Sequence, residues 1–242
     1  MVSKYSTQTA HAQAQSNSLR FNQTNILVFL GSVRQSTPPA PARLGKRVAL
    51  SCKQHIERQL TALQVEVIDP LDFELGPIFK PHFSYTNTDV PSSLQILAEK
   101  IEKADGYVMV SPEYNHSMSP ALANLLNHFG SSLFSYKPSM IVTYSAGQWG
   151  GARAAVNMRT FLSELGCLPV SAMIHIPKAQ EVLNENGDFS SEVNPEKWAG
   201  YYQRAFSQLH WWAIAAKRHH ASKEGEQRPE AFKQNPAQRN AP

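Results

Sequence analysis

Short apolar runs rich in β-branched residues recur at 26–30 (ILVFL), 65–68 (VEVI), 107–110 (YVMV), 140–144 (MIVTY) and 170–176 (VSAMIHI). Their length and composition predict five strands. The first, third and fourth are almost continuously apolar, as strands covered on both faces are. Between and after them, apolar positions recur at helical spacing over about 43–62, 92–103, 119–129, 151–165 and 195–217. This alternation predicts an α/β fold, a doubly wound parallel sheet with helices on both faces. Two segments interrupt it: an aromatic and proline-rich excursion at 69–91 and a loop at 177–194. In the last helix, Trp198, Tyr202, Phe206, Leu209 and Trp212 form a stripe expected to cover one sheet face. Adjacent Trp211 and Trp212 cannot share a narrow stripe, which leaves an oligomer or substrate contact open for one of them.

The flanks lack periodicity. Residues 1–24 and 218–242 are expected to be disordered tails around one domain at 25–217, because they offer too little apolar surface to offset the entropy of ordering. The formal charge of +4 resides in the flanks: Lys4 and Arg20 stand without an acid in residues 1–20, and six basic face three acidic side chains in 217–242. No nucleic-acid groove is therefore implied. No apolar run approaches the roughly 18 residues of a membrane span, and the N-terminal residues contain no apolar signal segment, so the expected compartment is the cytoplasm. Cys52 and Cys167 have no metal-ligand spacing and are expected to be buried, with no metal site.

Ligands of open parallel sheets bind beyond the carboxyl ends of the strands, which directs attention to three loops. After the first strand, Gly31 permits a tight turn, and Ser32, Arg34, Ser36 and Thr37 could join a helix N-terminus in holding a phosphate. Neither GxxxxGK[ST] nor GxGxxG is present. After the third strand, Pro112 stiffens the turn, Tyr114 offers a flat ring, and Asn115, His116, Ser117 and Ser119 offer polar contacts. Pro120 suits the first helical turn with Ser119 as N-cap. After the fourth, Gly147, Gly150 and Gly151 enclose Gln148 and Trp149, so the backbone can approach a phosphate or a carbonyl-rich heterocycle. Arg153 follows in the first helical turn, either solvated or facing an anionic partner.

GSVRQS (31–36), SPEYNHSMSPALANLLNHF (111–129) and SAGQWGGARAAVNMRTFLSELG (145–166) occur in this order. Together they resemble the flavin-binding loops of the NADPH-dependent FMN reductase family, the flavodoxin-like quinone and azo-dye reductases. The resemblance implies a flavodoxin-like strand order 2-1-3-4-5. It implies Ser32 and Arg34, with Ser36 or Thr37, on the FMN phosphate. Pro112, Glu113, Tyr114 and Asn115 would line the isoalloxazine, and Ser145, Gly147, Gln148, Trp149, Gly150 and Gly151 would contact its other side. It implies a homodimer or homotetramer, with the helices after the second and third loops at the interface. The implied reaction is ping-pong hydride transfer from NADPH or NADH through FMN to a small acceptor: a quinone first, otherwise an azo compound, ferric chelate or free flavin. Flavin N5 carries that chemistry, so no catalytic side chain is required, although His116 is a candidate proton donor. A flavodoxin-type electron carrier and a flavin-binding regulatory protein are the alternatives. The sequence departs from the family after Thr37, where Pro38, Pro39, Ala40 and Pro41 replace the usual small polar residue and asparagine, which implies weaker FMN binding.

Overall fold

The computed structural model describes residues 23–35, 43–76, 78–86 and 88–225. Strand β1 (Thr24–Leu30) leads to helix α1 (Leu44–Gln59) and strand β2 (Leu63–Ile68). Helix α2 (Ser92–Lys103) precedes β3 (Gly106–Tyr114), which turns back into the short β4 (Ser117–Met118). Then come α3 (Pro120–Asn127), α4 (Ser131–Phe134), β5 (Pro138–Tyr144) and α5 (Ala152–Glu164). The chain closes with β6 (Leu168–Pro169), β7 (Ile174–Ile176), α6 (Ala179–Val182) and the long α7 (Pro195–His220). The parallel sheet runs β2-β1-β3-β5-β6, with β7 also on β5, and β4 pairs antiparallel with β3. This is the expected flavodoxin-like order.

Alternation along each strand divides the core into two layers. Ile26, Val28, Leu30, Val108, Val110 and Val142 face α1 and α7, while Leu27, Phe29, Tyr107, Met109 and Ile141 face α2, α3 and α5. Of the expected strand at 170–176 only Ile174–Ile176 is strand, as β7, while the short β6 lies just ahead of it at Leu168–Pro169. Side chains take the backbone groups that a continuous ladder would use. Arg159 Nη2 donates to the carbonyls of Val170 (2.9 Å) and Ser171 (2.8 Å), and Gln208 Oε1 accepts from the Ala172 N–H at 2.9 Å.

The excursion at 69–91 forms two one-turn 3-10 helices, Pro70–Asp72 and His82–Ser84. It lies against the end of α3, where the His82 N–H donates to the His128 carbonyl at 2.7 Å and the Phe79 ring meets the His128 ring edge-on. On α7, Tyr202, Phe206 and Leu209 are fully buried, as expected. The buried face then continues to Ala213, four residues on, so Trp212 is turned outward at 42% exposure and Trp211 at 62%. The helix runs to His220 and a turn to Gly225, while residues 1–22 and 226–242 of the expected tails lie outside the described residues. Cys52 and Cys167 are both buried, and burial pushes the Cys167 thiol up to about 12 and that of Cys52 further. Among the described residues no helix is long and apolar enough to cross a membrane, and no group of His, Cys, Asp or Glu could hold a metal ion.

Candidate functional site

The three loops singled out from the sequence leave β1, β3 and β5 at the same end of adjacent parallel strands. Ser119 binds the first two together. Its hydroxyl donates to the Gly31 carbonyl at 2.5 Å and accepts the Leu122 N–H at 3.1 Å, so it caps α3 as expected. Its own N–H donates to Ser111 Oγ at 2.9 Å. Gly31 has no room for a side chain, since a Cβ would lie 2.4 Å from the Val110 carbonyl oxygen. Beyond it Ser32 is buried and Arg34 exposed, with the Arg34 N–H donating to Ser32 Oγ at 3.3 Å. The expected Ser36 and Thr37 lie outside the described residues.

Pro112, Glu113 and Tyr114 are not a loop following the third strand but the end of the strand itself. Pro112 is paired with Tyr144 of β5, and Glu113 and Tyr114 pair antiparallel with Met118 and Ser117. Asn115 (φ 49°) and His116 (φ 62°) form the two-residue turn of this hairpin. Positive φ at both positions is the geometry that matches the twist of the flanking strands, and Asn and His tolerate it better than most residues. His116 is thus placed at an exposed hairpin tip, and Tyr114 shows 42% of its surface.

The glycine-rich loop is shaped by hydrogen bonds from its flanks. Ser145 Oγ donates to the Gly147 carbonyl at 2.8 Å and accepts the Gly150 N–H at 2.9 Å. Thr143 Oγ1 donates to the Gly150 carbonyl at 2.8 Å, and the same oxygen lies 2.8 Å from His175 Nδ1. Because the threonine hydrogen is committed to Gly150, the histidine must carry its proton on Nδ1. Gly150 and Gly151 both have positive φ, and Gly151 forms the N-cap of α5. A Cβ at Gly147 would meet nothing within 4 Å, so that flank of the loop is open to a guest. Gln148 is exposed, and Trp149 is 63% exposed.

Arg153 is neither solvated alone nor waiting for an anionic ligand. Its Nε and Nη2 donate to Glu113 Oε1 at 2.9 and 2.8 Å, and its guanidinium lies 5.7 Å from the Trp149 ring centroid. The Glu113 carboxylate joins the second loop to the third. Its Oε2 is buried without a partner among the described residues.

Two further residues escaped sequence reasoning. Arg43, the N-cap of α1, makes a two-pronged pair with Asp69 at 2.6 and 3.1 Å, and its Nε remains buried and unpartnered. Tyr144, read as the last apolar residue of a strand, brings its hydroxyl against Gly45 at the start of α1, where a Cβ would lie 2.6 Å from it and 3.0 Å from Ser32 Cβ. Only the adjacency of β5, β3 and β1 brings these residues to one place, and no motif spacing signals it.

An orphan guanidinium N–H beside the N-terminus of α1 fits an anionic group, and the open flank at Gly147 fits a planar one. The residues present therefore suit a flavin mononucleotide.

Residues 24–181 match the family model of NADPH-dependent FMN reductase. The chain is 32% identical over 118 residues to an NADH:(hydroxy)cinnamate reductase subunit CrdA of Vibrio ruber, covering 46% of this chain and 58% of that one. It is 40% identical over 75 residues to a quinone reductase of Escherichia coli, covering 30% and 40%. These matches span about half the length of the curated relatives. A solved structure of FerB, a flavoenzyme NAD(P)H:(acceptor) oxidoreductase from Paracoccus denitrificans, shares the fold with a TM-score of 0.59 at 20% identity, covering 78% of this chain and 98% of that one. With its matched segment spanning the sheet and all three loops, this chain belongs to the NADPH-dependent FMN reductase family.

Proposed function

We propose that the protein is an FMN-dependent NAD(P)H oxidoreductase that passes two electrons by a ping-pong route to a small acceptor, a quinone foremost. The observation that carries this reading is the convergence of three loops at one sheet end, where Tyr114 and Trp149 remain exposed beside a glycine backbone with an open flank. FMN, when bound, supplies the hydride acceptor and the two-electron donor.

The chain's own groups hold and orient. Ser32, Arg34 and the start of α1 would take the phosphate, with Ser36 and Thr37 as expected additions. Pro112, Glu113, Tyr114 and Asn115 would line one side of the ring, and Ser145, Gly147, Gln148, Trp149, Gly150 and Gly151 the other. Backbone N–H groups of the glycine loop other than that of Gly150, which Ser145 Oγ holds, would stabilise negative charge gathering on the ring's carbonyl edge, in a loop whose shape Ser145 and Thr143 fix. The exposed Tyr114 and Trp149 rings would exclude water from a stacked acceptor. His116 at the hairpin tip is the candidate proton donor to a quinone. In the proposed homodimer or homotetramer, α3 and α5 meet the second copy; Val156 on α5, 66% exposed, supports that face.

The test is FMN titration of purified protein followed by anaerobic reduction with NADPH or NADH and stopped-flow reoxidation by quinone, azo, ferric and free-flavin acceptors. Fast reoxidation by a quinone is expected. Failure to bind FMN would remove the enzyme reading, and a different winning acceptor would replace the quinone.

A further inference from the structure

The glycine-rich loop commits its carbonyls to the protein and keeps its amides. From Ser145 to Gly151, every carbonyl except that of Gln148 accepts a hydrogen bond. The Ser145 and Gly147 carbonyls take the N–H groups of Ala179 and Lys178 at 3.0 and 2.9 Å, and Gln180 Nε2 donates to the Ala146 carbonyl at 3.0 Å. Those of Trp149 and Gly151 take the N–H groups of Ala152 and Ala155. The N–H groups of Gly147, Gln148 and Trp149, by contrast, meet no acceptor among the described residues.

Gly150 is the member of this set whose carbonyl a side-chain relay holds. It is pressed against the end of β7, where a Cβ would lie 3.0 Å from the Pro177 nitrogen. Thr143, fully buried, has one hydroxyl hydrogen and two neighbours at 2.8 Å: the Gly150 carbonyl and Nδ1 of His175, its in-register neighbour on β7. A carbonyl only accepts, whereas an imidazole nitrogen accepts or donates according to its tautomer. With a proton on Nδ1, both contacts are hydrogen bonds and run one way, from His175 to Thr143 to Gly150. With Nδ1 bare, imidazole and carbonyl compete for one hydrogen, and a buried carbonyl left without a partner is costly. We propose that His175 is a cofactor-positioning residue: by donating to Thr143 it commits the threonine hydrogen to Gly150, and so holds the loop with its free N–H groups set for the carbonyl edge of FMN. This rests on the FMN reading above. Negative charge gathers on that edge when the flavin is reduced, so the relay favours the reduced cofactor over the oxidised one.

The relay has a direction, and substitutions at its outer end test it. His175→Asn can still present an N–H to Thr143. His175→Asp can only accept, and its carboxylate draws the threonine hydrogen away from Gly150. The full chain and its His175→Asn, His175→Asp, Thr143→Val and Thr143→Val/His175→Asp variants are loaded with FMN, and the midpoint potential of the bound flavin is measured. His175→Asp and Thr143→Val are each expected to reduce the preference for reduced over oxidised FMN about tenfold, a potential about 30 mV lower. His175→Asn should stay within about twofold of wild type. The double variant should match Thr143→Val alone, because His175 acts through the threonine. Additive losses would mean that charge at position 175 acts on the flavin directly, and would overturn the proposal, as would unchanged potentials. Nitrogen-15 NMR of the histidines in wild-type protein without flavin reads the tautomer independently of any variant's folding: a proton on His175 Nδ1 is expected, and a bare Nδ1 overturns the inference alone. Wild-type protein that binds no FMN would instead sink the FMN reading, and the inference with it.

Discussion

Arg153 Nη2 stands 2.8 Å from Glu113 Oε1, joining the β3–β4 hairpin to the first turn of α5. The carboxylate side chain is 9% exposed and the guanidinium 47%. Replacing Arg153 by Ala leaves a buried charge to water alone. A fully buried pair broken this way costs about 3–5 kcal/mol, and the half-exposed arginine reduces that to about 1–2 kcal/mol. Glu113→Gln keeps the shape and should cost less. Urea midpoints measure both, and an Arg153→Ala midpoint equal to wild type would mean that solvent fully replaces the guanidinium.

Two glycines of the site should respond in opposite ways. A methyl at Gly31 would meet a strand carbonyl that the Gly31 N–H itself holds at 2.7 Å, so neither side can yield. Gly31→Ala should destabilise the fold by about 1–3 kcal/mol. Gly147→Ala meets nothing in the protein and should leave stability within about 0.5 kcal/mol. Its methyl would occupy the open flank, so FMN affinity should fall several-fold. Thermal melts paired with FMN titrations check both expectations.

Lys137, 6% exposed, donates to the carbonyls of Ile101, Glu102 and Leu133 at 2.8, 2.7 and 3.0 Å. Two of these acceptors belong to the last turn of α2, where the helix dipole favours a cation. Lys137→Met removes the donor from carbonyls that water reaches poorly, at a cost of about 3 kcal/mol. Since Lys137 precedes β5 and the site follows it, FMN affinity should not change. A coupled loss of FMN binding in folded variant protein would contradict this separation.

Burial lowers the His175 and His55 pKa values below the usual 6.5. The unfolded chain then binds more protons than the folded one once pH drops below about 6.5, so acid favours unfolding. The contribution of each neutral histidine is complete above about 6.5 and is lost as pH falls through the folded value. Urea midpoints at pH 7.5 and 5.5 should show a decline that His175→Asn partly removes. A variant retaining the full decline would exclude His175 as a source.

Legibility varied with the range of the interactions. Ser119 and Pro120 were readable as the start of α3 because a cap is local: the side chain meets an N–H three residues on. The polar character of Asn115 and His116 was in view, but the two-residue hairpin turn they form, which requires residues that tolerate positive φ, was not, because it depends on β4 folding back onto β3. The helical stripe on α7 was correct through Leu209 and then followed Ala213 instead of Trp212, since a small buried residue attracts less notice than an exposed tryptophan.

Periodicity and composition by themselves determined the α/β class, the main alternation of strands and helices and the three loops, because burial on one or two faces imposes a repeat that neighbouring residues display. The pairing of Glu113 with Arg153, the anchoring of Arg43 by Asp69 and the placing of the Tyr144 hydroxyl against Gly45 were decided by tertiary structure alone. Each joins residues tens of positions apart that meet only because parallel crossovers bring the ends of separate strands side by side. Local pattern cannot specify that adjacency; it follows from how the crossovers stack both hydrophobic layers on one sheet.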